Sequence, residues 1–129
     1  MRPATVAQRR FLFVAAAFNV VAAALVVLLA RAAPQWLGVD PMSGSQLFYV
    51  DLFAWVVITF GFAYALGGHD LQRFWPCIAM GTLGKAGVAA LALAYFLADR
   101  TGPLVMLLAT GDAIFAVAFV HIMRAQSVK

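Results

Sequence analysis

Three polar side chains interrupt otherwise apolar runs of this sequence. Lys85 lies in MGTLGKAGVAA (Met80–Ala90), Asp112 in ATGDAIF (Ala109–Phe115) and Asn19 in AFNVV (Ala17–Val21). A fourth, Asp51, follows Phe48-Tyr49-Val50. An ammonium and a carboxylate in such surroundings can pair, relay a proton, or act as acid and base on a bound substrate. A charge at a bilayer centre costs about 3 kcal/mol even on the gentlest insertion scale. Two lone charges facing lipid would therefore be poorly tolerated. Lys85 and Asp112 are expected to face each other across a protein interior, with Asn19 as third member. Such a layer is either a functional site or a device that fixes helix register.

Other constellations fare less well. The stretch around Lys85 superficially matches a phosphate-binding loop, G-x-x-x-x-G-K-[ST]. Ala79 occupies the first glycine position and Ala86 the hydroxyl position, so nucleotide binding is rejected. His69, Asp70, Cys77 and His121 fall near one face. Their spacing matches no metal signature, and a haem needs histidines on facing helices inside the core. No cofactor or metal is expected. Tyr49, Tyr64 and Tyr95 read as interface anchors. Ser43, Ser45 and Ser127 lie away from the charged layer, which leaves Ser-His-Asp catalysis unsupported.

The elements that hold these residues follow from composition. Hydrophobic residues make up 65% of the 129 and charged residues 11%, and mean hydropathy is +0.95. A soluble domain is about a quarter charged, so the expectation is a single integral membrane domain covered by lipid. The net charge of +4 comes from dispersed arginines rather than a basic face, which argues against nucleic acid as a partner. Cys77, the one cysteine, excludes an internal disulfide.

A bilayer core about 30 Å thick takes roughly 20 apolar residues as a helix. Residues 11–30, 47–66, 75–97 and 103–123 qualify. The fold expected is all-α: a polytopic, antiparallel up-down bundle of four transmembrane helices. Residues 31–46, with Pro34, Gly38, Pro41 and Gly44, form the longest connector. Gly67-Gly68 reads as a helix stop, Pro76 as a first-turn proline of the third helix, and Pro103 as the restart after a short link. Arg2, Arg9, Arg10, Arg73, Arg124 and Lys129 flank one side, and Arg31 and Arg100 the other. The positive-inside rule then places both termini in the cytoplasm. Trp36, Tyr49, Trp75 and Tyr95 sit near span ends, as an aromatic belt would. Arg9-Arg10 and the Ala30-Arg31-Ala32 triplet resemble a signal peptide. The apolar run of 20 residues exceeds an h-region of about 7–15, so a retained span is expected.

Depth estimates at ~1.5 Å per residue put Asn19, Lys85 and Asp112 at ~12, ~15 and ~17 Å from the cytoplasmic edge, and Asp51 at ~24 Å. The first three share a layer. Asp51 lies nearer the outer face, either solvated or forming the mouth of a pathway. Lys85 leans toward its own helix N-terminus, away from Asp112. A direct bridge, a water-mediated one and a bond mainly to Asn19 all remain open. Gly81 is one turn before Lys85 and is expected to leave room for it, while Gly84, Gly87 and Gly111 are expected to let neighbouring helices approach.

Phe60–Tyr64 (FGFAY), Gly81–Lys85 (GTLGK), Gly111–Phe115 (GDAIF) and Phe18-Asn19 together resemble a group of small bacterial four-helix membrane proteins. The group is broadly similar in size and layout to DoxX-type proteins. The resemblance implies a bacterial inner-membrane location and a four-helix bundle, and it carries over no catalytic residue. The function expected is a non-enzymatic accessory or scaffold subunit, with the bilayer and either further copies or a larger membrane complex as partners. The alternative is a small-molecule or proton pathway through the polar layer. A membrane enzyme acting on lipid or quinone, with Lys85 and Asp112 as acid and base, ranks third.

Overall fold

The computed structural model describes residues 3–127. Arg2 and Lys129, part of the charge asymmetry above, lie outside the described residues. Four long helices are present, each long and apolar enough to cross a membrane. They are α1 (Val6–Ala32), α2 (Gly44–His69), α3 (Leu71–Leu97) and α4 (Pro103–Ser127). A short 3-10 turn, Pro34–Leu37, follows α1. The chain is a multi-pass membrane protein, and its outward surface is apolar: Val21, Leu28, Trp55, Phe62, Leu83, Leu107 and Val117 are all exposed.

The helices overrun the apolar stretches because their caps lie in the polar flanks. Thr5 and Gln8 form a reciprocal capping box at the start of α1, and at α2 Ser43 N–H donates to the Gln46 side chain at 2.8 Å. The last turn of α3 closes in a Schellman motif. Asp99 adopts the left-handed conformation (φ 54°), Asp99 N–H bonds the Phe96 carbonyl, and Arg100 N–H bonds that of Tyr95.

The link between α2 and α3 departs from expectation. Gly67 and Gly68 do not stop α2, and Asp70 alone separates it from α3. Asp70 ends one helix and caps the next: its N–H bonds the Leu66 carbonyl, and its carboxylate accepts from Arg73 N–H at 3.1 Å. The glycines serve packing instead. A Cβ on Gly67 would lie 2.7 Å from Ile78 Cδ1, and one on Gly68 would lie 3.1 Å from the Phe13 ring. The Gly68 carbonyl, at the C-terminal end of α2, accepts from Arg9 Nε at 2.9 Å. With α3 starting at Leu71, Pro76 falls in its second turn rather than its first.

Helices α1 and α2 pack closely along their length, as do α3 and α4. Helices α2 and α3 pack less extensively. Helices α1 and α4 meet chiefly through rings: Phe115 lies 5.2 Å from Phe11 and 5.0 Å from Phe18. Leu12, Ala15, Tyr64, Leu71, Ile78, Phe115, Phe119 and Ile122 form the buried core. All of these lie toward the end of the molecule that holds Asp70. At the other end Gly102 N–H bonds the Leu37 carbonyl at 3.0 Å, tying the turn after α1 to the start of α4. Gly38 has a positive φ of 72°, and a side chain there would run into the Gly102 backbone.

Candidate functional site: a buried ion pair beneath an apolar cavity

Lys85, Asp112 and Asn19 come together between α1, α3 and α4. Lys85 Nζ donates to Asp112 Oδ1 at 2.5 Å and to Asn19 Oδ1 at 2.8 Å. The Asn19 amide donates in turn to the Val57 carbonyl of α2 at 2.9 Å, so all four helices contribute. Of the arrangements left open by the sequence, the lysine makes both direct contacts. Its four-carbon stem spans the offset between the two helices without a bridging group.

Three aromatic rings complete the surroundings of the ammonium. Phe18, Phe115 and Tyr64 lie with centroids 5.1, 5.3 and 5.5 Å from Nζ. Ring faces carry negative potential and attract a cation, most strongly where water is excluded. Lys85 is only 5% exposed, so its charge is met by the carboxylate, the amide oxygen and these rings rather than by solvent. Removing water makes the ion pair depend on these partners, because a desolvated charge without them is strongly unfavourable.

Glycines set the approach of three walls. A Cβ on Gly81 would collide with the Tyr64 ring, and one on Gly111 would lie 2.7 Å from the Phe18 ring. A Cβ on Gly61 would sit 3.2 Å from the Ala16 carbonyl and 3.3 Å from Asn19 Cβ. Gly81 therefore makes room for the Tyr64 ring. Gly84 and Gly87 do not mediate helix approach among the described residues: both are exposed, and a Cβ on either would meet nothing within 4 Å.

Asp51 stays out of the layer. It pairs with Arg31 Nη2 at 2.7 Å on the surface, with side chains 41% and 49% exposed for Arg31 and Asp51. Tyr64 is not an interface anchor, being 1% exposed and packed against Phe119 at 4.9 Å. Its inward position was detectable in the sequence. Gly61, Tyr64, Gly67 and Gly68 recur at helical spacing and mark the inward face of α2. His69 meets the Phe13 ring edge-on at 5.4 Å, and His121 is exposed. Among the described residues no group of three His, Cys, Asp or Glu side chains converges to hold a metal.

The polar layer divides the interior. Toward Asp70 the core is filled, with Leu12, Ile78 and Phe119 fully buried. Toward Gly38 there is an apolar cavity of about 240 Å³. Ala22, Ala23 and Val26 of α1, Val57 of α2, Val88 and Ala92 of α3, and Val105 and Ala109 of α4 form its walls. Leu37, Val39 and Met42 close its far end, and Asn19 and Asp112 form its floor. Small side chains on four facing helices leave this space open.

No family model matches this chain, and neither a curated protein nor a solved structure matches it.

Proposed function

We propose that the chain is a non-enzymatic protein of the bacterial inner membrane that holds a small lipid-soluble molecule in the cavity above its Lys85–Asp112–Asn19 layer. The orientation proposed is an antiparallel up-down bundle with both termini and the Asp70 corner in the cytoplasm. Arg9, Arg10, Arg73 and Arg124 support it, because they cluster toward that corner while Arg31 and Arg100 lie toward the opposite end. Arg9 bonds Gly68 and the Gln126 amide donates to Gln8, which brings the start of α1 and the end of α4 beside the corner.

One observation carries the binding reading: the apolar space of about 240 Å³ ends on a charged floor. Ligand sites combine apolar walls with a few placed polar groups in this way. A conducting pathway has less support, since Leu12, Ile78 and Phe119 fill the half beneath the layer. Native mass spectrometry of the protein released from lipid vesicles tests the proposal. A bound species of small-molecule mass should accompany the wild type and be absent from Ala23→Phe, which fills the space. A wild type that stays empty after incubation with a total lipid extract would overturn it.

A second reading, an accessory subunit or homo-oligomer, is favoured by the open face of α3. Among the described residues a Cβ on Gly84 or Gly87 would meet nothing within 4 Å, and small residues suit close approach between membrane helices. Gly87→Cys should crosslink to a second copy or another protein in membranes. A monomer with no crosslink and no co-purifying protein counts against it.

A further inference from the structure

We infer that the molecule held in the cavity is an uncharged amphiphile with a hydroxyl head, which donates its hydrogen bond to Asp112 and reaches it between α2 and α3. This inference rests on the binding reading above and adds the chemistry of the ligand and its route.

The floor determines the head group. Lys85 is enclosed: two of its three N–H groups donate to Asn19 and Asp112, and rings surround the rest of the ammonium. Asn19 is committed as well: its oxygen accepts from Lys85, its amide donates to the Val57 carbonyl, and the residue is only 4% exposed. Asp112 is not. Its hydrogen bond runs through Oδ1, and among the described residues Oδ2 has no protein donor. The side chain is 18% open, against 5% for Lys85, and it lines the cavity. The unspent group is thus an acceptor beside a pair that is already neutral. A hydroxyl satisfies it with a charge-assisted bond. A phosphate or carboxylate head would face the Asp112 charge with no free cation to answer it. An ammonium head would add an unmatched positive charge in apolar surroundings.

The walls limit the size and show the route. Benzene fits a cavity of about 150 Å³. On that scale the 240 Å³ here admits about ten non-hydrogen atoms, a head with a ring or short chain. A longer tail must leave. Phe53, Val88, Ala92 and Thr101 line both the cavity and an adjoining groove on the outside of α2 and α3, where Leu91 and Tyr95 continue it. Asp112 and Lys85 also border a recess in the same seam, beside the open Gly84. The seam follows from the topology: α2 and α3 are joined through Asp70 at one end and leave this gap toward the other. Thr101 adds a second polar point, since its Oγ1 is buried without a partner on the cavity wall.

Photolabelling tests this. Three probes share a C16 chain with a mid-chain diazirine and carry a hydroxyl, a carboxylate or no head group. Each is incorporated into phosphatidylcholine vesicles holding the wild-type protein, and labelled peptides are mapped by mass. The hydroxyl probe should label peptides from α1 and α4 that line the cavity about tenfold more than either other probe. In Lys85→Met/Asp112→Leu that preference should vanish while labelling by the headless probe persists. Equal labelling by all three heads, or preference for the carboxylate, overturns the inference and leaves the binding reading standing. Labelling confined to lipid-facing positions with every probe overturns both.

Discussion

At the scale of single residues, the polar layer behaves as a unit rather than as separate charges. Lys85→Met alone leaves Asp112 buried without its cation, and a loss of about 3–5 kcal/mol is expected. Lys85→Met/Asp112→Leu removes both charges and should fall well short of that loss. Reversible unfolding in mixed dodecyl sulfate–detergent micelles, followed by circular dichroism, gives both values; equal losses would mean the pair is not coupled. The glycines separate in the same assay. Gly81→Ala drives a methyl into the Tyr64 ring and should cost about 1–3 kcal/mol. Gly87→Ala meets open space and should stabilise by up to about 1 kcal/mol through helix propensity. The meeting of Lys85, Asp112 and Asn19 was legible in the sequence, because an unpaired charge in lipid is costly and few polar groups were available to answer it. The ring enclosure was not. Phe18 and Phe115 sit beside Asn19 and near Asp112 in sequence, but aromatic residues are frequent in every span. Gly111 faces the Phe18 ring, but among the described residues no glycine faces Phe115.

At the scale of elements, hydropathy located the four helices and missed their ends. Apolar runs report where lipid begins, whereas helices continue until a cap stops them. Thr5→Ala breaks the capping box of α1 and should cost about 1 kcal/mol without altering the core. The Gly67-Gly68 pair was misread for a related reason. A terminal glycine ends a helix by turning left-handed, and positive φ occurs among the described residues only at Gly38 and Asp99. Gly67 and Gly68 remain helical because Ile78 and Phe13 press against them. Gly67→Val should therefore disturb the α2–α3 corner more than Gly44→Val disturbs the start of α2, where a Cβ would meet nothing within 4 Å. Urea-accelerated proteolysis near residue 70 measures the difference; equal rates would return the pair to the role of a simple stop.

At the scale of the whole molecule, the two halves are built differently. Large side chains fill the half toward Asp70, and alanines and valines leave the other hollow. That division was not legible, because a void is a sum of small shortfalls on four helices rather than a property of any one segment. Leu37, Val39 and Met42 cover the mouth of the hollow half, and main chain alone fastens that cover at Gly38. The Leu37 carbonyl holds the Gly102 amide, and the two glycines touch with no side chain between them. A fastening of this kind has no ionisable group to titrate and no thiol to oxidise, so neither acidity nor redox state works it directly. It yields only to strain in the peptide itself. A single methyl at Gly38 should prise it apart and let water vent into the oily chamber, seen as faster deuterium uptake at the Gly102 amide.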